Sequence, residues 1–405
     1  MEEFNKFINY KDKKIHFKDL DLSDLVRKYK TPFYLYSEEI ILDNLNRYLK
    51  ASTTSGITST ICFALKSNNN LELLRSMAKK SCGADIVSSG ELTRAIEAGI
   101  DPKKIVFSGV GKTREDIELG IKYKILSFNV ESISELRMIN SISKSLNVET
   151  DIAFRLNPKV HAITHKHIST GFKTHKFGLL KDDILMAMKD ESLWSHCKLI
   201  GLSVHIGSQL LSLDATKEAI HELCKLAKQL DHDLKFLDVG GGLGVDYNPL
   251  EKVAPSIESY VQSISTITKS YFNDMHILFE PGRSISASAG FLLSKVIRSK
   301  TSEECSFLIV DGGMNDFVRP SLYGAYHEIY ASIKSDTLIE TDIVGPICET
   351  ADCFGEKRSL PSLKEDDFIV ISHTGAYGHT MSSHYNMRSK PIEYIVTIDN
   401  DIITA

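Results

Sequence analysis

Short apolar runs recur along the chain at Ile61–Leu65, Asp85–Ser88, Ile105–Ser108, Ile125–Val130, Asp151–Leu156, Leu199–His205, Phe236–Val239 and His276–Glu280. Each reads as a buried strand. Between most of them lie helical patterns, often opened by capping residues, as in Ser89-Gly90-Glu91-Leu92, Thr113-Arg114-Glu115-Asp116 and Ser132-Ile133-Ser134-Glu135. Strands alternating with helices predict a parallel sheet, and eight of them predict a closed (β/α)8 barrel over about 26–285. A doubly wound open sheet is the alternative on pattern alone. Upstream, Thr31–Tyr36 reads as a strand, and Ser37-Glu38-Glu39 caps a helix running to about Lys50.

After Arg283 the rhythm changes. Short alternating strands follow at Gly290–Ser299, Ser306–Val310, Thr341–Val344 and Phe368–Ser372, with a single helical stretch near Tyr323–Ile333. This predicts a second, mostly antiparallel β domain over 286–405, joined by the N-terminal residues 1–25.

Composition narrows the function classes. Across 405 residues, 42% are apolar and 25% charged, the balance of a water-soluble globular protein. The net charge of −5, with Lys and Arg dispersed, predicts no nucleic-acid surface. Met1–Lys14 lacks the apolar core of a signal peptide, and no apolar run approaches the ~20 residues of a membrane span. Seven cysteines without a C-x-x-C pair fit a reducing, cytoplasmic setting and argue against a disulfide framework or zinc ribbon. His161, His165, His167 and His175 do not have zinc spacing, so they read as solvated loop residues and no metal is expected.

Candidate chemistry gathers at the ends of the predicted strands. Phe63-Ala64-Leu65-Lys66-Ser67-Asn68 places an amine at the C-terminal end of the first barrel strand, the rim where barrel enzymes keep reacting groups. Such a lysine can form an imine with a carbonyl cofactor, or it is an ordinary solvated side chain. Asp238-Val239-Gly240-Gly241-Gly242-Leu243-Gly244 follows the seventh strand, where consecutive glycines let amides approach an anion; a ligand-free tight turn is the plain alternative. It is not the dinucleotide fingerprint, because the third glycine falls too early. Glu280-Pro281-Gly282-Arg283 offers a carboxylate for a ring nitrogen and a guanidinium for an anion, or is an ordinary surface turn. In His205-Ile206-Gly207-Ser208-Gln209, an imidazole can stack on a ring and Ser208 can bond a phosphate; a core histidine bonded to a backbone carbonyl is the plain alternative. Further on, Asp311–Asp316, Arg319-Pro320-Ser321-Leu322-Tyr323, Gly345-Pro346-Ile347-Cys348-Glu349 and Gly375-Ala376-Tyr377 put reactive side chains into Gly- and Pro-rich loops.

Together with Gly83-Ala84-Asp85, Ser88–Leu92, Phe107–Lys112, Asn129–Ser132, Arg155-Leu156-Asn157-Pro158 and Lys176-Phe177-Gly178, these segments resemble the pyridoxal-phosphate decarboxylases of the alanine racemase-like fold. The ordered match runs from Phe63 to about Asn386; Ser67 and Ser89 depart from it, where alanine and glycine are expected. The resemblance implies pyridoxal 5'-phosphate held by Lys66 as an internal Schiff base. It implies phosphate binding by Gly240, Gly241, Gly242, Ser208, Gly282 and Tyr377, stacking by His205, and a pyridine-nitrogen partner in Glu280, supported by Asp85 and Glu91. Arg283, Arg319 and Tyr323 would hold a substrate carboxylate and Glu349 its remote ammonium. Cys348 would come from the partner subunit of a homodimer and protonate the carbanion. The implied reaction converts meso-2,6-diaminopimelate to L-lysine and carbon dioxide. The rivals are a decarboxylase of ornithine or another basic amino acid, a racemase, and a non-catalytic cofactor-binding barrel. The Arg319–Glu349 pair speaks against the first, Glu280 against the second, and the β domain against the third.

Overall fold

The computed structural model describes residues 7–160, 176–303 and 305–404. The chain divides into two compact units. One comprises Leu42–Val245 with Val253–Ile285, and the other Met1–Ile41, Asp246–Lys252 and Ser286–Ala405.

The first unit is a closed barrel of eight parallel strands: β1 (Ser59–Ala64), β2 (Gly83–Ile86), β3 (Ile105–Phe107), β4 (Ser127–Val130), β5 (Thr150–Leu156), β6 (Cys197–Val204), β7 (Phe236–Asp238) and β8 (His276–Phe279). Pairing of Ile277–Phe279 with Ser59–Ile61 joins β8 to β1, so the open-sheet alternative is excluded. Cys62, Val106, Ala153, Ile200, Phe236 and Leu278, from six of the strands, pack into one cluster with no member more than 2% exposed. Burying an aliphatic or aromatic side chain of this size contributes roughly 1.5–3 kcal/mol each. The Phe236 ring fits because residue 201 is glycine: a Cβ there would lie 2.4 Å from Phe236 Cε2. The helices between strands begin where hydroxyl caps were expected. Thr113 and Asp116 form a complete capping box, and Ser132 accepts from Glu135 N. At Ser89–Glu97 the cap is Ser88, one residue earlier than the pattern suggested.

The second unit is built on a mixed, mostly antiparallel sheet. Its centre is Phe33–Ser37, five consecutive buried residues, antiparallel to Gly290–Thr301 and parallel to Ile392–Val396. The sequence expectation put this strand inside 26–285. A run buried on both faces carries no alternation to reveal its sheet, so its allegiance is fixed by pairing alone. The helix expected near Tyr323–Ile333 is instead a short helix, Arg319–Tyr323, stopped by Gly324 at φ +59°, followed by strand Ile329–Ala331. Cys353–Pro361 also forms a strand, paired with Leu338–Val344, although its polar sequence gave little sign of it.

Candidate active site

The C-terminal ends of the barrel strands carry an unusual density of buried charge. Lys66, in the turn Leu65–Ser67 just after β1, donates from Nζ to Asp85 Oδ2 on β2 at 2.5 Å. The Asp85 side chain is fully buried, and its Oδ1 has no hydrogen-bond partner among the described residues. Glu280, directly after β8, accepts from Ser108 Oγ at 3.2 Å and Asn129 Nδ2 at 3.4 Å. The same Asn129 amide donates to Asp238 Oδ2 at 2.9 Å, so one side chain from β4 ties the acids of β7 and β8 together. Burial, then the charges of Asp238 and Asp85, push the Glu280 carboxyl well above its ordinary value. Burial likewise pushes Asp238 up to about 6 and Glu91 up to about 7.

A glycine-rich loop lies beside this acidic cluster. Gly240 and Gly242 adopt φ of +67° and +103°, which side-chain-bearing residues rarely do. A Cβ on Gly241 would sit 2.1 Å from the Glu280 carbonyl oxygen, so the loop must be bare backbone where it crosses β8. Gly241 N–H donates to His205 Nδ1 at 3.2 Å, which leaves Nε2 as the protonated ring nitrogen. Burial, then the charges of Arg155 and Lys66, hold the His205 imidazole well below its ordinary pKa, so it is neutral. Arg283 donates to Ser208 Oγ through Nε at 3.3 Å and Nη2 at 3.0 Å, joining the loops after β8 and β6. Gly282 packs on Ser67, whose Oγ would be 2.9 Å from a Cβ there.

This donor set fits pyridoxal phosphate. Lys66 is an amine for the aldehyde, the glycine loop presents backbone toward a phosphate, and three buried acids suit a protonated ring nitrogen. The unpartnered Asp85 Oδ1 adds acceptor capacity for a cation.

The barrel therefore gathers Lys66, Asp85, Glu91, His205, Ser208, Gly240, Gly241, Gly242, Glu280, Gly282 and Arg283 at one end of its strands. The remaining expected residues belong to the second unit. Arg319 is buried, donates to His327 Nε2 at 2.7 Å, and lies 4.5 Å over the Tyr247 ring. Tyr323 ends the same short helix. Cys348 and Glu349 are exposed neighbours, and Tyr385 donates to Glu349 Oε1 at 2.6 Å. Tyr377 takes φ +56° in a glycine-flanked turn. The four histidines from His161 to His175 lie outside the described residues; among the described residues no group of acids, cysteines and histidines has metal-site geometry.

Several structural residues were not assigned roles from sequence. Ser108 donates to Glu280, Asn129 donates to Asp238 and Glu280, and Asp238 itself accepts from Gly240 N at 2.9 Å. Glu131 accepts from Gly109 N at 2.9 Å, from Gly178 N at 2.8 Å and from Arg155 Nη1. Lys112, whose side chain is fully buried, donates to Glu135 Oε1 and to the Gly109 and Asn129 carbonyls. Their shared signal is a polar residue ending or following an apolar barrel strand, as in Ser127-Phe128-Asn129-Val130.

Barrel and site together define a pyridoxal-dependent decarboxylase. Residues 42–287 match the family model described as "Pyridoxal-dependent decarboxylase, pyridoxal binding domain". The chain is 42% identical to the diaminopimelate decarboxylase of Zymomonas mobilis over 383 residues, covering 94% of this chain and 90% of the relative. It is 41% identical to that of Haemophilus influenzae over 407 residues, covering 98% and 95%. A solved diaminopimelate decarboxylase from Helicobacter pylori, complexed with L-lysine, superposes with a TM-score of 0.90 at 42% identity, covering 95% of each chain. The chain belongs to the diaminopimelate decarboxylase family, whose cofactor is pyridoxal phosphate.

Proposed function

We propose that this chain decarboxylates meso-2,6-diaminopimelate to L-lysine and carbon dioxide, the last step of lysine biosynthesis. The observation that carries the reading is the Lys66–Asp85 contact set beside buried Glu280 and the bare-backbone glycine loop. The lysine-bound Helicobacter pylori relative supports it, since lysine is the product of the proposed reaction.

Lys66 would hold the cofactor's aldehyde carbon, with Gly240, Gly241, Gly242, Ser208, Gly282 and Tyr377 around its phosphate. His205, neutral and fixed by Gly241 N–H, would lie against the ring face. Pyridoxal phosphate, when bound, supplies an electron-poor ring that accepts the electron pair left as carbon dioxide departs. Glu280 would keep the ring nitrogen protonated, because a neighbouring anion favours the cationic form, with Asp85 and Glu91 reinforcing it. Arg283, Arg319 and Tyr323 would hold the substrate's carboxylate and Glu349 its remote ammonium. Cys348, contributed by the second subunit of a homodimer, would give the proton that replaces the lost carboxylate. The setting is the cytoplasm, consistent with seven cysteines that are all free thiols.

Release of carbon dioxide from meso-diaminopimelate with an equal amount of L-lysine tests the reading; its absence in the cofactor-loaded protein contradicts it.

A further inference from the structure

The turn that carries Cys348 and Glu349 is held from beneath by one buried acid. Asp352 is only 3% exposed. Its Oδ1 accepts from Met314 N at 2.6 Å and its Oδ2 from Ile347 N at 2.7 Å. Its own backbone closes the turn from both sides: Asp352 N donates to Glu349 O at 3.1 Å, and Gly345 N donates to Asp352 O at 3.0 Å. The residue opposite the carboxylate has to be glycine, since a Cβ at 345 would lie 2.4 Å from Asp352 Oδ2. Thus one carboxylate binds the residue immediately before Cys348 and also the loop Asp311–Asp316, itself fixed by Asp316 accepting from Gly313 N.

We infer that Asp352 is a positioning residue: its carboxylate sets the place of the Cys348 thiol by clamping the 345–352 turn to the Met314 amide. The inference rests on the reading of Cys348 as proton donor. A proton donor must sit within hydrogen-bond reach of the atom it serves, so a thiol on a short exposed turn needs a fixed base. A carboxylate accepting backbone N–H bonds is a strong, charge-assisted anchor. Glu349 has a separate fastening through Tyr385, so the carboxylate clamp and the side-chain contact act on neighbouring residues independently.

Two substitutions remove the clamp by different routes. Asp352→Asn keeps the shape but turns an NH2 toward one of the two amides. Gly345→Ala keeps the acid but displaces it. Hydrogen exchange, cofactor absorbance and steady-state kinetics are measured on the full-length holoenzyme. In the unaltered protein the Ile347 and Met314 amides exchange slowly. In both variants these amides exchange faster while the rest of the chain keeps its protection. The cofactor spectrum is unchanged, KM stays within about twofold, and kcat falls by about 10²-fold, the size expected from a misplaced reacting group. A purely structural role predicts lower thermal stability with kcat retained. Retained kcat in variants whose turn exchanges freely overturns the inference, as does fast exchange of both amides in the unaltered protein. Cys348→Ala separates the two claims. If that variant keeps full kcat, the reading of Cys348 falls and the inference with it. If it loses kcat while Asp352→Asn does not, the inference alone falls.

Discussion

Lys66 Nζ and Asp85 Oδ2 stand 2.5 Å apart, linking the turn after one barrel strand to the body of the next. Asp85 thereby ties the lysine's amine to a barrel strand, and its second oxygen has no partner among the described residues. Pairing of Ala64 with Asp85 brings the turn that carries this amine alongside the neighbouring strand.

On the proposed reading, covalent attachment of the cofactor depends on that amine. Borohydride treatment of the holoenzyme fixes the cofactor to the chain, and peptide mapping finds it on Lys66. The Lys66→Ala variant retains none after reduction. A label on any other lysine contradicts the assignment.

On the proposed reading Glu280 acts through charge, as the anion that faces the bound cofactor's ring nitrogen. In Glu280→Gln the Ser108 and Asn129 contacts have a similar-shaped partner, so the cofactor stays bound, but the ring nitrogen loses its anion. Turnover falls by about 10²-fold or more, the usual consequence of removing one electrostatic group at a reacting centre. Wild-type turnover in this variant removes Glu280 from the chemistry.

Glu91 gives the cofactor-free protein a pH-dependent stability. Burial raises its carboxyl from 4.5 to about 7. A group raised on folding contributes stability that is complete below its unfolded value and lost as pH rises through the folded one. Between pH 4.5 and about 7 the apoprotein therefore loses melting temperature more steeply than Glu91→Gln does. Asp238, raised to about 6, slopes the same way in both proteins, so the difference isolates Glu91. Parallel profiles contradict the assignment.

Gly241→Ala tests the cradle. Its Cβ would meet the Glu280 carbonyl oxygen at 2.1 Å, and this backbone atom cannot yield without moving the acid. Cofactor affinity measured by titration drops sharply, whereas Gly111→Ala, with open space around its Cβ, stays within about 0.5 kcal/mol of the parent in stability. Unchanged affinity in Gly241→Ala argues that the phosphate is bound elsewhere.

Cys348 from a second subunit implies complementation. Lys66→Ala and Cys348→Ala are each nearly inactive, and mixing them under subunit exchange restores about a quarter of the sites, as random pairing in a twofold dimer requires. No recovery after demonstrated exchange places both residues' work within one chain.

The barrel was legible because period and length agree: eight short apolar runs separated by capped helical patterns admit few other folds. The polar side chains at their ends, Lys66, His205 and Glu280, stood out against those runs for the same reason. Phe33–Ser37 was misplaced because a strand buried on both faces looks alike in either sheet. Asn129 and Asp352 stayed hidden for another reason. Their importance lies in partners distant in sequence, Asp238 for the first and Met314 for the second, and no local pattern encodes such a pairing.

The most direct test of the central claim is substrate choice. Diaminopimelate carries a second carboxylate and ammonium that lysine and ornithine lack as a pair. Arg319 and Glu349 are proposed to meet those charges, and a site built to hydrogen-bond a substrate's polar groups rejects an analogue that lacks them by about 10⁴-fold. Carbon dioxide release is measured from equal concentrations of meso-diaminopimelate, L-lysine and L-ornithine with the same holoenzyme. The account predicts strong release from diaminopimelate alone, with Arg319→Ala reducing its kcat/KM while the cofactor remains attached. Comparable release from ornithine, or unaltered selectivity in Arg319→Ala, would contradict it.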